Sequence, residues 1–247
     1  MTLKGAAEPF WLTVFLDFPA PAFDAGTGFW RGYTGWRLSA VRGGAGEFAT
    51  LLPDAGDAWL RVQRLGGGAS RVHLDLHVPD PWEAAAVAER GGAEIVADSP
   101  HTHVVLASPA GFPFCFVRGA GSVRPSARRW PHDGRLAQVS LDVPRVRLAE
   151  ELAFWQATLP GEWDEAGGRH HRAPGGLPVG LLVQPVELAR EASAHLHLLT
   201  DDVVAEAGRL TELGARIRAT RPQKVVLETP GGLVCCLGED GFDLGLE

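Results

Sequence analysis

The apolar and polar positions of this chain follow one order of elements, used four times. Trp11–Phe18 alternates loosely and predicts a strand, and Pro21–Gly32 with its Phe-Trp predicts a helix, against which Pro21 and three glycines count. Three short strands are predicted next, at Arg37–Val41, Glu47–Leu52 and Ala58–Gln63, separated by Gly, Pro and Asp turn signals. The order then restarts. Val72–Val78 alternates apolar and polar residues, the pattern of a half-buried strand. Asp80-Pro81 supplies an N-cap and a first-turn proline, Trp82–Arg90 is an Ala-rich helix, and Gly91-Gly92 ends it. Strands at Ala93–Val96, His103–Ala107 and Phe114–Val117 complete the unit.

The second half repeats the first at the level of residues. Asp17, with Phe29-Trp30 twelve positions on, returns as Asp142 with Phe154-Trp155, an offset of 125. Gln63 returns as Gln184 and Cys115 as Cys236, each 121 positions later; His73 returns as His195 and Gly92 as Gly214, each after 122. Matches that keep one order and drift by so little mark a duplication, and so long a period means two domain copies rather than a solenoid. Helices at Leu148–Ala157 and Asp202–Leu213 fall where the repeat requires them. The expected fold class is α+β: tandem βαβββ units, four in two pairs, each pair forming a curved mixed β-sheet cup with helices outside. The expected boundaries are a first domain over 8–119, a linker over 120–134 and a second domain over 135–240.

Composition narrows the function classes. A length of 247 residues with 45% hydrophobic and 21% charged positions suits two globular cores. The net charge of −7 argues against a nucleic-acid partner, and the one basic stretch, Arg124, Arg128 and Arg129, sits in the Gly/Pro/Ser-rich linker. No apolar run approaches the roughly 20 residues that span a bilayer, and the N-terminal residues lack a signal-peptide layout. Three cysteines, two of them adjacent, make no disulfide framework. The expectation is a cytoplasmic protein with a small-molecule ligand.

Candidate chemistry collects on the alternating strands. His73, Asp75 and His77 share one strand face, as do His195 and His197. Each His has two readings, a buried ring held by hydrogen bonds or a chemical group, and His73 beside Asp75 suits an oriented base. Gln63 and Gln184 either contact a ligand or finish a sheet edge. Cys115 and Cys236 lie in apolar strands and read as small core residues or as ligand contacts. Trp30 and Trp155 are expected to pack against the sheets, His101 and His103 to flank a loop, and Arg169-His-His-Arg172 to form a solvated hairpin tip.

The motifs Val72-His-Leu-Asp-Leu-His-Val-Pro-Asp80 and Ala194-His-Leu-His-Leu-Leu-Thr-Asp-Asp202 resemble those of the vicinal oxygen chelate superfamily. Ser108-Pro-Ala-Gly-Phe-Pro-Phe-Cys115 and Thr229-Pro-Gly-Gly-Leu-Val-Cys-Cys236 strengthen the resemblance. Glyoxalase I, extradiol dioxygenases and bleomycin-resistance proteins belong to that superfamily, and the chain is most similar to its glyoxalase-like domain proteins. The resemblance implies ligand positions on the first and last strands of each unit: Gln138, His195 and Cys236 in the second copy, Thr13, His73 and Cys115 in the first. Where the family's enzymes carry Glu, this chain has Cys236. The Gln/His/Cys set suits Zn²⁺, and a divalent metal (Zn, Fe, Mn or Ni) is expected, if anywhere, in the second domain.

The resulting expectation is a glyoxalase-like protein that binds a small organic molecule in a sheet-lined cup, with lyase or isomerase chemistry and His73 or His195 as base. Gln63, His73, Asp75 and Cys115 would contact ligand in one copy, and Gln138, Gln184, His195, His197 and Cys236 in the other. Two alternatives stay open: a non-catalytic sequestration protein of the bleomycin-resistance type, and a metal-dependent glyoxalase or dioxygenase using the second domain. The chain would be a monomer with its copies paired internally, or a homodimer.

Overall fold

The computed structural model describes residues 2–119, 130, 134–159, 161–164, 169–172, 177–187, 190–222 and 224–239; Arg124, Arg128 and Arg129 lie outside them. The elements of the first copy are β1 (Trp11–Pro19), α1 (Ala20–Thr34), β2 (Arg37–Leu38), β3 (Phe48–Leu52), β4 (Leu60–Leu65), β5 (Arg71–Val78), α2 (Pro81–Arg90), β6 (Glu94–Ser99), β7 (His103–Ala107) and β8 (Pro113–Arg118). The second copy follows with β9 (Arg135–Pro144), α3 (Leu148–Thr158), β10 (Glu162–Trp163), β11 (His170–Arg172), β12 (Gly180–Val186), β13 (Ser193–Thr200), α4 (Val203–Glu212), β14 (Arg216–Arg221), β15 (Lys224–Glu228) and β16 (Val234–Glu239). This is the α+β order of four βαβββ units.

The strands form two eight-stranded mixed sheets of matching topology. Their orders are β2-β3-β4-β1-β5-β8-β7-β6 and β10-β11-β12-β9-β13-β16-β15-β14. Strands β5 and β8 run parallel, as do β13 and β16, while β7 with β8 and β15 with β16 run antiparallel. The last strands β6 and β14 are each interrupted by a bulge, at Ile95/Ala97 and Ile217/Ala219. A bulge at a sheet edge discourages further strands from adding there. β2 is shorter than the expected Arg37–Val41: at Ser39 the N–H still donates to the Thr50 carbonyl at 2.9 Å, but the Thr50 N–H goes to the Ser39 hydroxyl, also at 2.9 Å, in place of a backbone carbonyl.

By contacts the described chain gathers into two compact units, and each draws on both copies. One holds Trp11–Val14, the elements from His73 through β8, and Val139 onward through β12 with α3. The other holds the rest of β1 with α1 and β2–β4, and His195 onward with α4 and β14–β16.

Local chemistry explains why the helices sit where they do. Asp80 caps α2 by accepting from the Trp82 and Glu83 N–H groups at 3.0 and 3.2 Å. Asp202 caps α4 in the same way, through Val204 and Ala205 at 3.1 and 3.0 Å. In the first unit α3 lays Phe154 and Trp155 against Phe114 of β8, with ring centroids 5.7 and 5.3 Å apart. The fully buried Glu151, one turn before Trp155, ties this helix to the β7–β8 turn. Its carboxylate accepts from Ser108 Oγ at 2.6 Å, the Ala110 N–H at 2.7 Å and Trp155 Nε1 at 2.7 Å. Three donors offset the desolvation that a buried carboxylate would otherwise suffer.

The second unit solves the equivalent contact with glycine. Gly26, at the repeat position of Glu151, lies under the Phe18 ring, and a Cβ there would meet that ring at 2.6 Å. A Cβ on Gly231, the counterpart of Ala110, would meet the same ring at 2.4 Å and the Gly26 Cα at 2.8 Å. Gly26, one of the glycines that weaken α1 as a helix, is therefore what lets it lie against Phe18 and Gly231.

Two outcomes follow for stability. Gly26→Ala gains at most about 1 kcal/mol of helix propensity, but the clash with Phe18 costs about 1–3 kcal/mol, so chemical denaturation should report net destabilisation. Burial raises the Glu151 pKa above its ordinary 4.5, although the bonds from Ser108, Trp155 and Ala110 pull the other way. A raised folded-state pKa gives stability that is complete below 4.5 and declines as the pH rises through the folded value. The stability gap between the wild type and Glu151→Gln should therefore narrow across that window, as read by urea midpoints at a series of pH values.

Candidate functional site

The parallel strand pairs bring the candidate side chains together. In the second unit β13 and β16 are in register with His197 opposite Cys236, and His195 shares the face of His197 two residues earlier. One donor atom from each of His195, His197 and Cys236 lies within 4.8 Å of the others. All three residues are buried, His197 to 1% exposure. His195 Nε2 and His197 Nε2 are 2.8 Å apart, and Gln138 Nε2 lies 3.4 Å from His197 Nδ1. The ring tautomers decide which atom donates in each contact. Gln138, His197 and His195 form one hydrogen-bonded chain beside a thiol.

A second cluster occupies the equivalent positions in the first unit. Asp75 stands opposite Cys115 across β5 and β8, and His73 is two residues before Asp75. One donor atom from each of these three again lies within 4.8 Å of the others. His73 Nε2 and Asp75 Oδ1 are 3.7 Å apart, with side chains 12% and 10% exposed. Residues 73, 75 and 115 correspond to 195, 197 and 236 by the offsets of the repeat. The polar contact from the first strand shifts by one step: Thr13 Oγ1 lies 2.8 Å from His77 Nε2, whereas Leu199 stands at the His77 position of the second copy.

The remaining candidates are placed elsewhere. The Gln184 amide donates to Asp142, which commits it to a contact within its own sheet. Gln63 is half-buried in β4 opposite Phe48, in the unit that does not hold His73. His103 Nδ1 meets its neighbour Thr102 at 2.8 Å, and His101 is exposed. The His170-His171 segment is not a solvated tip: β11 pairs with β10 and β12, and His171 is buried with its ring 5.1 Å from that of Trp163. Trp30 and Trp155 are fully buried, as the pattern required.

For a metal the resemblance implied His195, Cys236 and Gln138, and His197 was expected only as a contact to an organic ligand. The signal was the His-x-His spacing, which puts both rings on one strand face, but its meaning depended on which strand lay alongside. Cys235 points the other way, and burial, with a lesser contribution from Cys236, pushes its thiol far above the ordinary range. A cavity of about 360 Å3 in the first unit is lined by Val87, Gly91, Arg147, Glu150, Phe154 and Thr158 among others, and by none of the candidate residues. Among the described residues no helix is long and apolar enough to cross a membrane.

The His195–His197–Cys236 cluster passes a geometric test for a metal ion. Donors around a tetrahedral Zn²⁺ are about 3.3–3.7 Å apart, from bond lengths of about 2.0–2.3 Å. The 2.8 Å His–His contact and the 4.8 Å limit of the cluster bracket that spacing, so small side-chain rotations would suffice.

Comparison with known proteins places this arrangement. Solved structures of similar fold include a mutant of 4-hydroxymandelate synthase from Streptomyces coelicolor, with 15% identity and a TM-score of 0.60 over 98% of this chain and 95% of that one. A Mn(II)-bound glyoxalase from Novosphingobium aromaticivorans gives 18% identity and a TM-score of 0.56 over 95% of this chain and 82% of that one. A halotolerant catechol dioxygenase gives 17% and 0.57 over 96% and 90%. No protein of curated function matches. The family model described as glyoxalase-like domain matches twice, at residues 13–117 and 138–238. With both copies matched, the chain belongs to the glyoxalase-like domain family, on a fold shared with dioxygenases and a glyoxalase.

Proposed function

We propose that this protein binds a small organic molecule at the His195–His197–Cys236 cluster, with a divalent ion of the zinc class held by those three side chains. The reaction class this favours is proton transfer next to a carbonyl, of the lyase or isomerase type. The observation that carries the proposal is the convergence of two imidazoles and a thiol within 4.8 Å on buried, paired strands. Three protein ligands that leave the fourth position to water or substrate are the usual arrangement of a catalytic zinc site. When bound, the ion would act as a Lewis acid toward a substrate oxygen.

The chain's own residues define the rest. The Gln138 amide, near His197 Nδ1, holds that ring at the angle the cluster needs. Burial keeps bulk water from competing with a ligand for the imidazoles. His195, His197 and Cys236 include no carboxylate, which separates them from the two-His, one-carboxylate sets of Fe(II) oxygenases. The donor set favours thiophilic ions over Mg²⁺ or Mn²⁺, and that distinguishes this chain's chemistry from an oxygen-liganded site.

Zinc affinity should fall as the pH is lowered, because the thiol must lose its proton and the rings must be neutral to bind. Isothermal titration of metal-stripped protein with Zn²⁺ at several pH values measures this. Gln138→Ala should weaken zinc about 10–100-fold, the usual effect of removing a group that orients a ligand. An affinity independent of pH, or unaffected by Cys236→Ser, would refute the site.

A further inference from the structure

We propose that the first unit carries a binding site of its own, for a small aromatic carboxylate, in the cavity of about 360 Å3 lined by α2, α3, Leu3 and Pro109. The site does not depend on the zinc reading of His195, His197 and Cys236, none of which lines it. The duplication is what singles it out. Val87, Gly91, Ala157 and Thr158 line the cavity, and by the offsets of the repeat their counterparts are Arg209, Leu213, Gly32 and Tyr33. In the second unit the same positions are packed. A Cβ on Gly32 would meet the Leu213 side chain at 2.8 Å, and the Arg209 guanidinium stands 5.0 Å from the centroid of the fully buried Tyr33 ring. Glu206 holds Arg209 there through a 2.9 Å ion pair. The first unit lacks that isobutyl group, phenol ring and guanidinium, and regains only the Ala157 methyl and the short side chains of Val87 and Thr158. The hollow is what these exchanges leave open.

The missing groups describe the occupant. They are largely apolar and one is an aromatic ring, so the matching ligand presents a flat apolar group to Val87, Ala153 and the Phe154 ring. The volume lies near the lower end of the roughly 300–1,000 Å3 of small-molecule sites, which suits a compound with a single ring. Polar recognition belongs to Arg147, whose Nε donates to Glu150 at 3.0 Å and whose Nη2 donates to the Pro109 carbonyl. These two bonds fix the guanidinium plane at the cavity, and Nη1 brings two more N–H donors to it. A fixed guanidinium binds a carboxylate better than any neutral acceptor. Glu150 is 63% exposed, so solvent screens its repulsion of an incoming anion.

The test is ligand-observed NMR of metal-stripped full-length protein with 3-phenylpropanoate, paired with circular dichroism melts of each variant. The wild type should bind this probe saturably at millimolar concentration or below, the range open to so small a ligand. It should bind 2-phenylethylamine, the cationic counterpart, at least roughly tenfold more weakly. Gly91→Leu should abolish binding without lowering the melting temperature. Gly91 has φ −87° and ψ 0°, close to the −75° and −1° of Leu213, so the backbone already accepts leucine. A Cβ there would touch the Phe154 ring at 3.4 Å, a contact that a slight shift of the ring relieves. Thr158→Tyr restores the ring of Tyr33 and should abolish binding by a second route. Arg147→Gln should weaken 3-phenylpropanoate at least roughly fivefold while leaving the binding of neutral 3-phenylpropan-1-ol unchanged. A wild type that shows no saturable binding would overturn the site. So would binding that survives in either cavity-filling variant once its melt shows it folded. Equal or tighter binding of the amine would overturn the assignment to a carboxylate.

Discussion

The register of two parallel strand pairs is the constraint on which the chemistry depends. β5 against β8 and β13 against β16 set residue 75 opposite 115 and residue 197 opposite 236. Because side chains alternate along a strand, a slip of one residue would send every donor to the other face. The register is held by burial on both sides. Leu74, Leu76, Phe114 and Phe116 are fully buried in the first copy, as are Leu196, Leu198 and Leu237 in the second. The donors are positioned as a by-product of packing, which leaves their identities free to vary.

That freedom shows in how the two copies have diverged. The same backbone positions carry a carboxylate in one cluster and an imidazole in the other. The polar residue reaching in from the first strand is a threonine in one copy and a glutamine in the other, and each contacts a different histidine. The scaffold contacts have diverged as well. A three-donor carboxylate at Glu151 stands where the sister copy has Gly26 packed closely against Phe18. One geometry is thus maintained by a hydrogen-bonded network in one place and by the absence of a side chain in the other.

Much of the fold was legible in the sequence because its signals are local. The Asp80 and Asp202 caps, the glycines at 92 and 214 with left-handed φ, and the alternation of Val72–Val78 each declare an element within a few residues. The duplication then checked each element against its counterpart. What sequence reading did not supply was long-range. That β8 returns parallel to β5 depends on a connection of several elements, and without it the roles of Asp75 and His197 are undetermined. Glu151 could not be distinguished from an exposed helix acid, since its partners Ser108 and Ala110 lie some forty positions away. His171 read as solvent-facing because the sequence gives no hint of the ring of Trp163 beside it.

Each compact unit is stitched from parts of both copies. Neither half of the polypeptide therefore contains a complete packing unit, and the partner surfaces find one another as ends of a single tether rather than by diffusion. A tether fixes the local concentration of one half around the other whatever the amount of protein present. Two separate identical chains must be self-complementary, so a change in one is a change in both. A fused pair escapes that symmetry, and natural selection can alter one pocket without touching the other.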